Sequence, residues 1–328
     1  MSGVDIGSPE AVLGGGSEPI FAGQAARRSY RANASRLPER AWRELDDLMI
    51  EVAQSRLSLV QRLISAGLVD PIDLGTTVST WQTTNDFGDA DISMDGVEDA
   101  TEDADTFDTV GIPVPLIAKG FRFSHRLGAQ YNVRDTAAPK ATRKVLERME
   151  EIVVDGWART VRDVEGNTFT IDGLSTHPDR LQPSVDGSWN TAPENVDGDI
   201  RAVIEALQAD DNNHPGPFEF WCATDVEATL RAPSPNFDNI RLRQQVGELP
   251  EIADMVASSK LPDGTAYLVE LDRETIDAKL VNGNVTDSAE WSSNPFQTHV
   301  KVWTGFAPRL KSDEQGQMGL AELTGLTS

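Results

Sequence analysis

Residues 76–123 read TTVSTWQTTNDFGDADISMDGVEDATEDADTFDTVGIPVPLIAKGFRF, and the fold turns on this stretch. It opens on a β-prone run, Thr76 to Thr83, and closes on another, Val110 to Phe123. Between them Asp86 to Asp108 carries ten carboxylates, and no basic residue lies between Arg62 and Lys119. Two strands around an acidic middle predict a long two-stranded excursion. It holds too few apolar residues to fold as a unit of its own.

Inside the acidic middle, Asp91, Ser93, Asp95, Asp99 and Glu102 fall at positions 1, 3, 5, 9 and 12 of a calcium loop, with Gly96 at position 6. Position 8 is Glu98, where such loops place an apolar residue, and no amphipathic helix precedes the segment. A solvated acidic surface is the better account of these residues.

On either side the pattern is helical. Pro38 stands in a first turn, and Trp42, Leu45, Met49 and Val52 repeat at helical spacing. Leu57, Val60, Leu63 and Ile64 continue that face, and Gly67 is the expected stop. A second long helix is predicted from Ala137 to Val164, with Val145, Met149, Ile152 and Val153 as its stripe, extended by Trp157 and Val161. Residues 167–174 read as a strand and turn, and 178–195 as a loop or hairpin. From Asp197, an expected helix cap, the pattern becomes α/β. Ile200, Val203, Ile204 and Leu207 face inward, Phe218 to Ala223 is a buried strand, and Asp225 opens another helix. A polar helix is expected near 239–246 and a strand at Ala266 to Leu271. The last residues alternate again through Val300, Val302 and Phe306 to Met318–Leu323. Residues 1–34, with Gly14-Gly15-Gly16-Ser17, read as an extended arm.

The 328 residues carry 53 acidic against 29 basic side chains, a formal charge of −24. That balance excludes a face built to grip nucleic acid by phosphate neutralisation. No apolar run is long enough for a membrane-spanning helix, and Met1 to Ala22 has no secretory pattern. The bases are 22 Arg and 7 Lys, the acids 31 Asp and 22 Glu. Short carboxylates with Arg preferred to Lys resemble the surfaces of proteins from extreme halophiles. At molar salt the Debye length is about 3 Å, so self-repulsion is screened.

The search for chemistry returns little. One cysteine, Cys222, excludes an intramolecular disulfide and reads as a small buried hydrophobe. Ser175-Thr176-His177 has no nucleophile elbow around it and reads as a turn. His125 and His299 lie in strand-like segments and read as structural. No phosphate-cradling glycine loop, nucleotide fingerprint or zinc motif is present. The chain is expected to be no enzyme, with no catalytic, cofactor-binding or metal residue and no cofactor.

The order arm, helix, acidic two-stranded loop, long helix, α/β unit and closing strands resembles the α+β fold of tailed-phage major capsid proteins, the HK97 fold, and within it the encapsulin shell proteins. Leu37 to Asp46 is similar to the opening helix of encapsulins. Val114-Pro115-Leu116-Ile117 with Phe121-Arg122-Phe123 resembles the strand that re-enters the core after the extended loop. Gly173-Leu174-Ser175, and Gly216-Pro217-Phe218 before Thr224-Asp225, match a turn and the first axial strand with its helix. The resemblance spans about residues 28–325. It implies an N-terminal arm (1–36), peripheral-domain segments (37–75, 119–195 and 293–328, the second with a spine helix at 136–165), an extended loop (76–118) and an axial α/β domain (196–292). In such a fold the loop lies over a neighbouring subunit, with Trp81, Phe87 and Phe107 as apolar contacts; packing between the two strands is the alternative.

Two departures from the family pattern matter. No lysine stands in 63–118, so isopeptide welding of subunits is not expected. About 28 residues precede the first helix where encapsulins dock cargo, and no long scaffold segment leads the chain, so maturation by its removal is not expected. The resemblance implies a major capsid protein of a tailed virus of halophilic archaea, assembled in the host cytoplasm into virions. Its partners would be itself, in pentamers and hexamers, and minor capsid or turret proteins, around DNA that it does not bind by sequence and without a membrane. The alternative is an encapsulin nanocompartment around a cargo enzyme.

Overall fold

A computed structural model of the chain describes residues 58–84, 107–124, 133–162, 168–209, 212–235, 240–283, 286–294, 297–313 and 315–327. Helix α1 (Leu59–Ser65) ends at Gly67, which adopts φ +72° as the expected stop. Strand β1 (Val69–Ile72) follows, then β2 (Val78–Thr84) and β3 (Phe107–Pro113), which pair antiparallel from Val78 opposite Pro113 to Thr84 opposite Phe107. The two β-prone flanks therefore form one ribbon, as their alternating Val, Thr and Trp residues predict. Val114 and Pro115 interrupt the second run, and the chain resumes as β4 (Leu116–Ser124).

Helix α2 (Val133–Asp155) buries the expected stripe Val145, Met149, Ile152 and Val153, together with Ala138, Ala141 and Leu146. It ends nine residues short of Val164. Trp157 and Val161, expected on the helix, lie instead in β5 (Trp157–Arg162), which pairs with β6 (Thr168–Ile171). The reason is Gly156, at φ +69°, where any side chain would overlap the Ile171 carbonyl. The backbone of Gly156 lies directly on Gly173, whose own Cβ would meet the Gly156 amide and the Val154 carbonyl. A left-handed glycine in so tight a crossing ends the helix whatever periodicity follows it.

The α/β part comprises α3 (Asn195–Leu207), β7 (Phe218–Ala223), α4 (Thr224–Leu230), α5 (Leu242–Gly247), β8 (Ile252–Ser258) and β9 (Ala266–Glu270). All six residues of β7 are buried, and Phe218, Phe220 and Trp221 are its large anchors. Each contributes on the order of 2 kcal/mol by burial. Asp197 is not the cap of α3; it lies in the first turn and pairs with Arg201 at 2.9 Å.

Strands β10 (Ile276–Val281), β11 (Asp287–Asn294), β12 (Gln297–Leu310) and β13 (Leu320–Leu323) complete the fold. One sheet runs β1-β10-β12-β11, with β4 also on β12; another runs β13-β9-β7-β8. The sheets cut across a boundary at 292. Strands β10 and β11, expected with the axial segment, pair with β12, and β13, expected with the closing segment, pairs with β9. Long-range pairing decides this, and no local pattern carries it. Helix α2 packs on β4 and β12, and Ile117 and Val302 join its buried stripe in one core.

Candidate assembly site

The root of the ribbon is built into the body. Ser79, Ile112 and Val114 are buried, while Thr80 and Gln82, one step further out, are exposed. Gly111 lies under the Phe169 ring of β6, where a Cβ would come within 2.8 Å of it, so a glycine lets the two hairpins stack. Trp81, opposite Val110, is half-buried, and the Arg309 guanidinium sits 5.2 Å from its ring centroid. Arg309 is in turn held by two bonds to Asp277, and Lys311 reaches the same carboxylate at 3.0 Å. Asp277 and Arg309 are both buried. A cation fixed in this fork cannot turn away, so the indole has a rigid platform.

Trp81 thus packs at the ribbon's own root. Phe107 opens β3 opposite Thr84. Phe87 and the calcium-loop residues Asp91, Ser93, Asp95, Asp99 and Glu102 lie outside the described residues. Among the described residues no three His, Cys, Asp or Glu side chains converge on a point where a metal could bind. Arg309 and Asp277 were not legible as site residues, because they meet Trp81 only through the register of distant strands.

The remaining candidates have structural partners. Ser175 donates to the Val154 carbonyl at 2.9 Å, and His177 is buried with Nδ1 accepting the Asp179 amide. Burial lowers the His177 pKa below the ordinary imidazole value. Cys222 is buried in β7, and burial pushes its thiol up to about 12. His299 is half-buried on β12. His125 lies outside the described residues. No helix among the described residues is long and apolar enough to cross a membrane.

Several buried carboxylates tie segments together. Glu322 of β13 accepts from Arg180, Gln182 and Tyr267, and burial beside it pushes the Tyr267 hydroxyl pKa up. Asp199 accepts the amides of Asp186 and Gly187 and the Trp189 indole. Each of these groups holds a loop or a strand in place.

Comparison with solved structures identifies the fold. The chain is similar to the virus-like particle from Pyrococcus furiosus, with a TM-score of 0.58 at 14% identity over 86% of this chain and 99% of that one. It is similar to the capsid of Myoviridae phage XM1, with a TM-score of 0.59 at 14% identity over 80% and 90%. The capsid of a native GTA particle gives 0.55 at 11% over 79% and 88%. The fold is the α+β HK97-like capsid fold. By sequence, the chain belongs to the family of unknown function DUF6260, which it matches over residues 32–321. No curated protein matches it.

Proposed function

We propose that this chain is a major capsid protein that assembles into the icosahedral shell of a tailed virus of halophilic archaea, around its double-stranded DNA. The observation that carries the reading is the ribbon: two strands rooted in the body by Ile112, Val114 and Trp81, leading into an acidic segment with too little apolar content to form its own core. A segment of that kind finishes its burial on another copy. The HK97-like fold supports the same role. Residues 76–118 are then the extended loop and 133–155 the spine helix. The sheet containing β7 and β9 is the core of the axial domain.

The halophilic host rests on composition. A net charge of −24 per copy opposes close packing of many copies, and molar salt removes that opposition. Electron microscopy of negatively stained protein at molar and at low salt tests both parts. Closed particles at molar salt that swell or fall apart on dilution are expected. Intact shells in dilute buffer would overturn the halophilic part, and a monomer at every salt would overturn the shell. Nuclease-resistant DNA in the particles is expected; a co-purifying enzyme cargo in its place would favour a nanocompartment.

A further inference from the structure

The two edges of the sheet β13-β9-β7-β8 are held in different ways. At the β13 edge the bonds are main-chain ones: Leu181 donates to the Leu320 carbonyl at 3.0 Å and accepts the Glu322 amide at 2.8 Å. The segment carrying Leu181 is itself bonded to the end of α2, where the amides of Leu174 and Ser175 donate to the carbonyls of Val153 and Val154. At the β8 edge, among the described residues, no main-chain bond reaches α1 or α2. Two cations do. Arg62 of α1 reaches Asp254 at 2.9 Å, and Lys260, just past the end of β8, reaches Glu151 of α2 at 2.9 Å. Helices α1 and α2 pack together, and Glu150 of α2 accepts the first amides of α1.

The Arg62 tie is built on a crowded pair of acids. The register of β7 on β8 shifts, so that Phe218 faces Ile252 but Glu219 faces Asp254, and Ala253 is the extra residue. A bulge re-aims a side chain. This one sets two carboxylates opposite each other, which destabilises a ladder. Arg62 bonds to both. Its Nε and Nη2 grip Glu219, which is buried and also accepts the Trp221 indole at 2.9 Å, and Nη2 reaches Asp254 as well. Beside this tie lies an open cleft of about 550 Å³, lined by Arg62, Ser65 and Ala66 from the end of α1 and by Gly216, Ala253 and Glu270 from the sheet side. The end of α1 and the sheet face each other across that space, bridged by a guanidinium.

We infer that Arg62 and Lys260 form a two-point latch. Closed, it holds the β8 edge against α1 and α2; released, it lets the sheet turn about its β13 edge over the cleft. The inference concerns a single copy and goes beyond the shell reading. Two side-chain ion pairs can part and re-form without unpacking an apolar core, whereas the main-chain bonds at β13 hold the other edge as a pivot. Release of Arg62 leaves Glu219 and Asp254 opposed and the first of them buried without a cation, so the latch is biased closed and the turned state is the minor one.

The test is pulsed electron resonance on the full chain at low salt, with nitroxides at Lys140→Cys on α2 and Glu248→Cys at the end of α5, which packs on β8. Both positions are exposed, and buried Cys222 takes no label. One narrow distance is expected in this parent. Arg62→Gln, Glu219→Gln and Lys260→Gln are then introduced together; the change at 219 keeps an acceptor for Trp221 and strands no buried charge. A second distance is expected, at least about tenfold more populated than in the parent, with the circular dichroism unchanged. Arg62→Lys, which keeps the charge but not the fork, is expected to fall between the two. Arg201→Gln, which breaks only the pair with Asp197 inside α3, is expected to leave the distance alone. One narrow distance in the triple variant with native dichroism would overturn the latch. Loss of the fold would also overturn it, by making the ties purely structural, as would a parent already spread over both distances. Shell assembly is read separately by microscopy at molar salt: a wild-type chain that forms no particles there would overturn the shell reading and leave the latch standing.

Discussion

Glu150 lies on α2 but serves α1. Its Oε1 accepts the amides of Ser58, Leu59 and Val60 at 2.8, 3.0 and 3.2 Å, the donors that a helix start leaves without partners. Burial raises its pKa, and the three amides only partly offset that. A raised folded pKa means that the protonated form is favoured, so this group's contribution falls as pH rises through that value. Glu150→Gln keeps an acceptor without the buried charge and is expected to leave the melting temperature at pH 7 unchanged or higher. Glu150→Ala strands the amides and is expected to cost about 3 kcal/mol in denaturant titration. Asp70 has the opposite sign. The Arg273 guanidinium, then Lys279, hold its carboxyl down to about 2. Its contribution is present above the unfolded value of about 3.9 and is lost as pH falls toward 2. Asp70→Asn is expected to flatten that part of the acid limb in melts between about pH 2 and 5. At the ribbon root, Asp277→Ala leaves buried Arg309 uncompensated and is expected to cost about 3–5 kcal/mol.

At the scale of elements, the crossing of Gly156 over Gly173 decides where α2 stops and the β5–β6 hairpin begins. Gly156→Ala combines a disfavoured φ with overlap on the Ile171 carbonyl. It is expected to cost about 3 kcal/mol or more. Gly173→Ala strikes the same contact from the other side, so the double variant should lose less than the sum, as equilibrium unfolding would show. The ribbon strands, β7 and the Gly67 stop were legible because alternation, an unbroken apolar run and a glycine after a periodic face are local signals. The end of α2 was not, because Trp157 and Val161 fit the helical period and nothing in their own spacing reveals a backbone crossing at Gly156. Of the candidate site, Trp81 was legible as an aromatic in a strand with little core. Its platform on Arg309 and Asp277 was hidden in the pairing of β10 with β12.

For the whole molecule, the uneven charge is the governing property. The described body ties its cations into pairs in which one acid serves two bases, as at Asp70, Glu151, Glu227 and Asp277. Sharing leaves still more carboxylates unmatched, and the segment before β3 holds a concentrated block of them. Internal pairs act at contact range and should survive dilution, whereas packing of like-charged copies should not. Folded single subunits are therefore expected at low salt wherever particles disappear, and light scattering beside circular dichroism would distinguish that from unfolding. By itself, the sequence determined the β2 and β3 strands, the buried stripe of α2, β7 and the acidity of the segment between β2 and β3, since those follow from periodicity and charge along the chain. Only the tertiary structure decided that β10 and β11 join β12 while β13 crosses to β9, and that Trp81 rests on Arg309. Those facts depend on which strands meet, and strand pairing is settled by the burial of the whole core.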